Sequence, residues 1–144
     1  MAALSVAQLI TRDSALSQPP LYLTSTAELK KKLDSILDFL NTARPTAVNL
    51  GTAVRRLKNR IDNGIAEAKS PLVLAREVAA EARAVHDEDL QRNKDMAKWA
   101  ADWILNRHDL QDSMNILTVC NTGNLATSVC RLFGFSTHGP TASL

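Results

Sequence analysis

The sequence is poor in aromatic residues: three Phe, two Trp and one Tyr make up 4% of its 144 residues. Strands lean on aromatic and β-branched side chains. This scarcity, beside abundant Ala and Leu, therefore favours helix over sheet. Cysteine is scarcer still. Only Cys120 and Cys130 are present, which excludes a disulfide scaffold and points to a reducing compartment. Five Gly and five Pro exclude a collagen-like or linker protein. No apolar run approaches the length of a membrane span. Charge of one sign is missing too, since 17 Lys and Arg against 15 Asp and Glu leave +2. Residues 1–69 hold ten basic and six acidic side chains, and residues 70–144 hold seven and nine. That balance falls short of the one-sided basicity of a dedicated nucleic-acid binder. What is present, 45% hydrophobic and 22% charged residues, excludes disorder. A chain of about this length buries roughly two-thirds of its unfolded surface, enough for one core.

Helical spacing dominates the first hundred residues. Leu4, Ala7 and Ile10, with Val6 alongside, predict a helix over 2–14. No basic segment precedes this apolar stretch, and Arg12 and Asp13 follow it at once, so it reads as a helix of the mature protein and not a signal peptide. Pro19-Pro20 forbids helix across the pair. Ser25 or Thr26 then offers an N-cap with Glu28 in the first turn. Leu29, Leu33, Ile36, Leu37 and Leu40 predict an amphipathic helix over 26–42. Ala47, Leu50, Val54, Leu57 and Ile61 predict another over 46–63, opened by Pro45 and with Gly64 near its weak end. Ser70-Pro71 is an N-cap followed by proline at the first helical position. From there Ala75, Ala79, Ala82, Leu90, Ala97, Ala100 and Ile104 carry one stripe over 71–106. It is one long helix or two, kinked at the acidic run 87–89. The texture changes only at 115–120, Asn-Ile-Leu-Thr-Val-Cys, followed by Asn121-Thr122-Gly123 and Leu125-Ala126. This predicts strand, tight turn and helix start, the first half of a βαβ unit.

Four groups of residues invite chemistry. Cys120 ends the predicted strand, where ligands bind in open α/β sheets and where backbone N–H groups of the next turn can lower a thiol pKa. A buried small hydrophobe ending a core strand is the simpler reading by pattern. Arg44, just before Pro45, offers a fork that grips phosphate bidentately, against the plainer reading of a solvated loop arginine. His86, Asp89, Leu90 and Asn93 share a helical face, either a polar site or an ordinary packing network. Arg55, Arg56, Lys58 and Arg60, with Lys30 to Lys32, could meet phosphates, but without interleaved aromatics a solvated face is the reading of choice. Neither Cys has a partner at a recognisable zinc spacing.

Two strings together go beyond pattern. Ala43-Arg44-Pro45-Thr46-Ala47-Val48-Asn49-Leu50 and Ile116-Leu117-Thr118-Val119-Cys120-Asn121-Thr122-Gly123-Asn124-Leu125-Ala126-Thr127 resemble the signature segments of methylthioribose-1-phosphate isomerases. Val85-His86-Asp87-Glu88-Asp89 with Asn93 is similar to that family's acidic helix motif. Ribose-1,5-bisphosphate isomerases and regulatory subunits of the translation initiation exchange factor are related. The latter typically lack the Cys-Asn-Thr-Gly string, so Cys120 argues against that branch; a non-catalytic helical interaction module or regulatory relative is the alternative. The resemblance implies an aldose–ketose isomerase of methionine salvage, converting 5-methylthioribose 1-phosphate to 5-methylthioribulose 1-phosphate without metal or organic cofactor. It implies Cys120 as the catalytic cysteine and Arg44 as the substrate-binding arginine, with Asn121, Thr122 and Gly123 supporting the site. It also implies a homodimer in the cytoplasm and nucleus that acts on a small phosphorylated sugar and binds neither nucleic acid nor membrane.

The expected fold is mainly α: a helical N-terminal domain over 1–112, the first strand-turn-helix of an incomplete Rossmann-like α/β domain over 113–130, and a divergent tail over 131–144. The family's Arg-Gly-Ala-Pro loop falls upstream of Ala2, and its acidic catalytic partner falls downstream of this sequence. The chain is therefore expected to be a piece of the enzyme, cut at both ends and inactive alone.

Overall fold

The computed structural model describes residues 2–107, and among them there are four α-helices, one short 3-10 turn and no strand. The predicted strand-turn-helix, with the expected boundary at 112, lies outside the described residues.

Helix α1, Ala2–Ser14, buries Ala3, Val6, Ala7 and Ile10. The predicted stripe is thus rotated: Leu4 is only half-buried, and the smaller Ala3 takes the centre line. Pro19-Pro20 ends helical structure as expected. The 3-10 turn Leu21–Leu23 follows, closed by Leu23 N–H donating to the Pro20 carbonyl at 2.9 Å. It drops Leu23 into the core. Helix α2, Thr26–Thr42, has Ser25 as its N-cap residue in extended conformation, with Glu28 in the first turn; the Ser25 hydroxyl makes no cap bond. Leu29, Leu33 and Leu37 form its fully buried seam, each about 1.5–3 kcal/mol of burial. Ile36 and Leu40 pack at its edge.

Helix α3, Val48–Ala66, starts two residues later than predicted. Pro45 does not open the helix. It sits second in a turn closed by Ala47 N–H donating to the Arg44 carbonyl at 3.0 Å, a place its fixed φ suits equally well. Val54, Leu57 and Ile61 are buried toward the core. The end of α3 is strongly fixed and not weak. Ala68 N–H donates to Ile65 and Lys69 N–H to Gly64, at 2.9 and 3.1 Å, with Ala68 at φ 52. This is the bond pattern of a Schellman motif, with alanine in the left-handed position that usually takes glycine.

Helix α4, Pro71–Arg107, is one helix of 37 residues, which decides between the two readings of its stripe. The acidic run 87–89 does not interrupt it, since Asp and Glu in a helix cost little. Leu74, Ala75, Val78, Ala79 and Ala82 complete the core. A compact unit reaches from α1 to His86, and a second begins at Asp87 inside α4.

In the first unit α2 packs on α3 and on the 3-10 turn, and α1 packs on α3. A polar pin fastens the turn to α1. The Tyr22 hydroxyl donates to Asp13 Oδ2 at 2.7 Å, and Arg12 Nε donates to Oδ1 at 2.8 Å. Asp13 is 6% exposed. The Tyr22 hydroxyl, and then the Arg12 guanidinium, hold the Asp13 carboxyl below its ordinary range. Burial, and then the bond to Asp13, push the Tyr22 phenol up.

Candidate functional site

Arg44 stands on the turn between α2 and α3. Ala43 N–H donates to the Leu40 carbonyl at 3.2 Å, which carries the end of α2 directly into the Pro45 turn. Arg44 is exposed, and among the described residues its side chain makes no ion pair or hydrogen bond. The residue before α3 is Ala47, which has no side-chain acceptor to cap the helix. The N–H groups of the first turn of α3 thus add a positive pole close to the Arg44 backbone. Exposed Phe39 and Val48 belong to the adjoining ends of α2 and α3, at 75% and 77% exposure. The signal in the sequence is that both apolar residues fall off the stripes of their helices, Leu29–Leu33–Leu37 and Val54–Leu57–Ile61. A guanidinium, a helix N-terminus and two apolar side chains suit a ligand that is part anion and part hydrocarbon.

Cys120, Asn121, Thr122 and Gly123 lie outside the described residues, so no second predicted site residue is placed beside Arg44. The set His86, Asp89, Leu90 and Asn93 is half-buried along α4. Asn93 Nδ2 donates to the Asp89 carbonyl of its own helix at 2.9 Å. His86 Nδ1 is buried without a hydrogen-bond partner among the described residues. No group of three or more His, Cys, Asp and Glu side chains among the described residues could hold a metal ion.

The basic cluster is largely matched by carboxylates of neighbouring helices. Lys30 meets Asp34 at 3.0 Å and Asp62 at 2.6 Å, and bonds to Asp62 and then Asp34 push its pKa up. Lys58 meets Asp38 at 2.6 Å, Arg60 meets Glu77 at 2.8 Å, and Arg56 pairs with Glu81. These cations tie α2, α3 and α4 together. Sequence alone could not say so, because the acids lie 20 or more residues from most of their partners along the chain. Among the described residues no helix is long and apolar enough to cross a membrane.

Helices that present an arginine on an interhelical turn, as the described residues do, are common to many proteins. Comparison narrows the class. The Initiation factor 2 subunit family matches residues 2–134, and the chain belongs to that family. Within it, the chain is 44% identical over 133 residues to a methylthioribose-1-phosphate isomerase of Laccaria bicolor, covering 89% of this chain and 35% of the relative. It is 38% identical over 132 residues to the protein of that name from Postia placenta, covering 89% and 34%. It is 31% identical over 126 residues to that of Vitis vinifera, covering 88% and 34%. The chain therefore spans about a third of the length of these curated relatives. No solved structure matches it.

Proposed function

We propose that this chain is the part of a methylthioribose-1-phosphate isomerase that carries the substrate-gripping arginine and the catalytic cysteine. The observation that carries the reading is the 44% identity to the Laccaria bicolor isomerase over 89% of the chain, a stretch that includes the Arg44 turn. The chemistry asks for such groups. With phosphate on C1 the sugar ring cannot open to a free aldehyde in the usual way. A water-excluding pocket must instead let a thiol or thiolate and a carboxylic acid move hydrogen between C2 and C1 and protonate the ring oxygen. On this reading Arg44 holds the phosphate or a ring hydroxyl in its fork, the open end of α3 adds attraction, and Phe39 and Val48 flank the less polar part of the substrate. Cys120 supplies the thiol, on a strand that begins a Rossmann-like domain, with Asn121, Thr122 and Gly123 in the turn behind it. The working enzyme is a homodimer of the cytoplasm and nucleus that acts on a small phosphorylated sugar.

The test is a chimera in which residues 2–128 replace the matching third of the Laccaria bicolor protein. We expect the chimera to isomerise 5-methylthioribose 1-phosphate. Arg44→Lys should weaken substrate binding, because a point charge cannot reproduce the planar fork, and Arg44→Ala should weaken it further without a matching loss of melting temperature. Cys120→Ala should remove most turnover. A folded, dimeric chimera without activity, or one indifferent to Arg44→Ala, would overturn the assignment and leave a helical interaction module.

A further inference from the structure

Within the first unit, α1 and α4 enclose a second polar feature. A groove of about 320 Å³ is lined by Ile10, Thr11, Ser14 and Ala15 of α1 and by Arg76, Ala79 and Arg83 of α4. The spacing explains the gap. Arg76 and Arg83 are seven residues apart, two helical turns or about 10.5 Å, with only the methyl of Ala79 between them on that face. Across from them α1 offers a hydroxyl, a hydroxyl and a methyl, too short to fill the space.

Its charge is one-sided. Among the described residues no carboxylate lines the groove. The acids on the first turns of α4 are engaged elsewhere, Glu77 with Arg60 and Lys69 and Glu81 with Arg56. Both groove arginines are exposed, and Arg76 has no ion pair or hydrogen bond among the described residues. Arg83 Nη2 donates to Thr11 Oγ1 at 2.6 Å, and Thr11 in turn donates to the Ala7 carbonyl at 2.7 Å, so this guanidinium is held in place. A second observation is independent of charge. The Ser14 hydroxyl, in the groove wall, is shut off from solvent with no hydrogen-bond partner. An unmatched buried hydroxyl is uncommon and calls for a missing acceptor.

We infer that the α1–α4 groove is a binding site for an oxyanion of the phosphate type, gripped by Arg76 and by the Arg83 guanidinium that Thr11 holds in place, and completed by the Ser14 hydroxyl. The site is distinct in residues from the Arg44 turn and does not rest on the isomerase reading. Two guanidinium forks two turns apart on one helix, with a small residue between them, suit a tetrahedral anion carrying several acceptor oxygens. Free phosphate and a phosphate monoester share this chemistry.

The test is a titration of the 144-residue chain carrying Arg44→Ala, which silences the other arginine, followed by side-chain and amide NMR at constant ionic strength. Inorganic phosphate and ribose 5-phosphate are the probes, with chloride as reference. We expect saturable shifts at Thr11, Ser14, Arg76 and Arg83 with either phosphate probe and none with chloride. The tighter of the two probes identifies a free anion or an ester as the occupant. Arg76→Gln should weaken binding about tenfold or more, the loss of one charge-assisted contact. Arg76→Lys should recover part of it. Since Arg76 is unpartnered, its variants keep the fold, and an unchanged melting temperature verifies this. Absence of saturable shifts with both probes, or shifts untouched by Arg76→Gln, would overturn the inference.

Discussion

At the scale of single residues, two positions at the end of α3 use glycine's properties in opposite ways. Gly64 is there for space: a Cβ at this position would stand 2.3 Å from Leu74 Cδ1 and 3.4 Å from its Cγ. Leu74 is fully buried, so it has little room to turn aside. Gly64→Ala should therefore cost about 1–2 kcal/mol, overpacking outweighing the better helix propensity of alanine. Ala68 is the reverse case, a left-handed residue with a side chain. Ala68→Gly should stabilise by about 1 kcal/mol, because the strain of a positive φ is relieved at a position where no core contact is lost. Thermal or urea melts of the two variants would check this. Opposite signs are expected, and like signs would refute one of the two explanations. Neither was legible in the sequence, which shows Gly64 as a weak helix end. The need for space arises only when α4 folds back on α3.

At the scale of elements, the junction of α1 with the 3-10 turn rests on one carboxylate, and its pH dependence follows. The folded Asp13 carboxyl lies below its unfolded value near 3.9, so its stabilisation is complete above that value and is lost as pH falls through the folded one. Tyr22 lies above its unfolded value near 10, so its stabilisation is complete below that value and is lost as pH rises through the folded one. Stability should therefore fall at both extremes. Tyr22→Phe should abolish the alkaline loss, shrink the acid one and cost about 1.5–3 kcal/mol, since it removes from a buried carboxylate the donor that most lowers its pKa. Melting curves from acid to alkaline pH would measure it, and an unchanged alkaline limb would count against the pin. The elements themselves were largely readable. The Leu29–Leu33–Leu37 seam and the Ser70-Pro71 start carry their own period and cap. The start of α3 differs from the pattern because a proline suits both a first helical position and the second position of a turn. The choice was made by the Ala47 to Arg44 hydrogen bond, which no pattern displays.

At the scale of the molecule, burial is unevenly distributed. Among the described residues every core residue lies between Ala3 and Ala82. The stripe of α4 that continues through Leu90, Ala97, Ala100 and Ile104 is only half-buried. Protection of backbone amides follows buried contacts, so hydrogen exchange should be slowest around 74–82 and markedly faster over 90–104. Equal protection along α4 would show that burial does not set its stability. The same imbalance explains which parts of the candidate site were legible. Arg44 declared itself through a contiguous string of residues, whereas the groove at Arg76 and Arg83 needs two helices more than sixty residues apart to exist at all.

The scarcity of aromatic residues also gives the chain its own optical labels. Its single tyrosine is Tyr22, tied to Asp13 in the first unit, and both tryptophans, Trp99 and Trp103, belong to the second. Phenol absorbance and indole emission therefore watch different parts of one polypeptide without any dye or substitution. If the two signals change together on denaturation, the chain melts as one cooperative body; if they separate, each unit melts on its own.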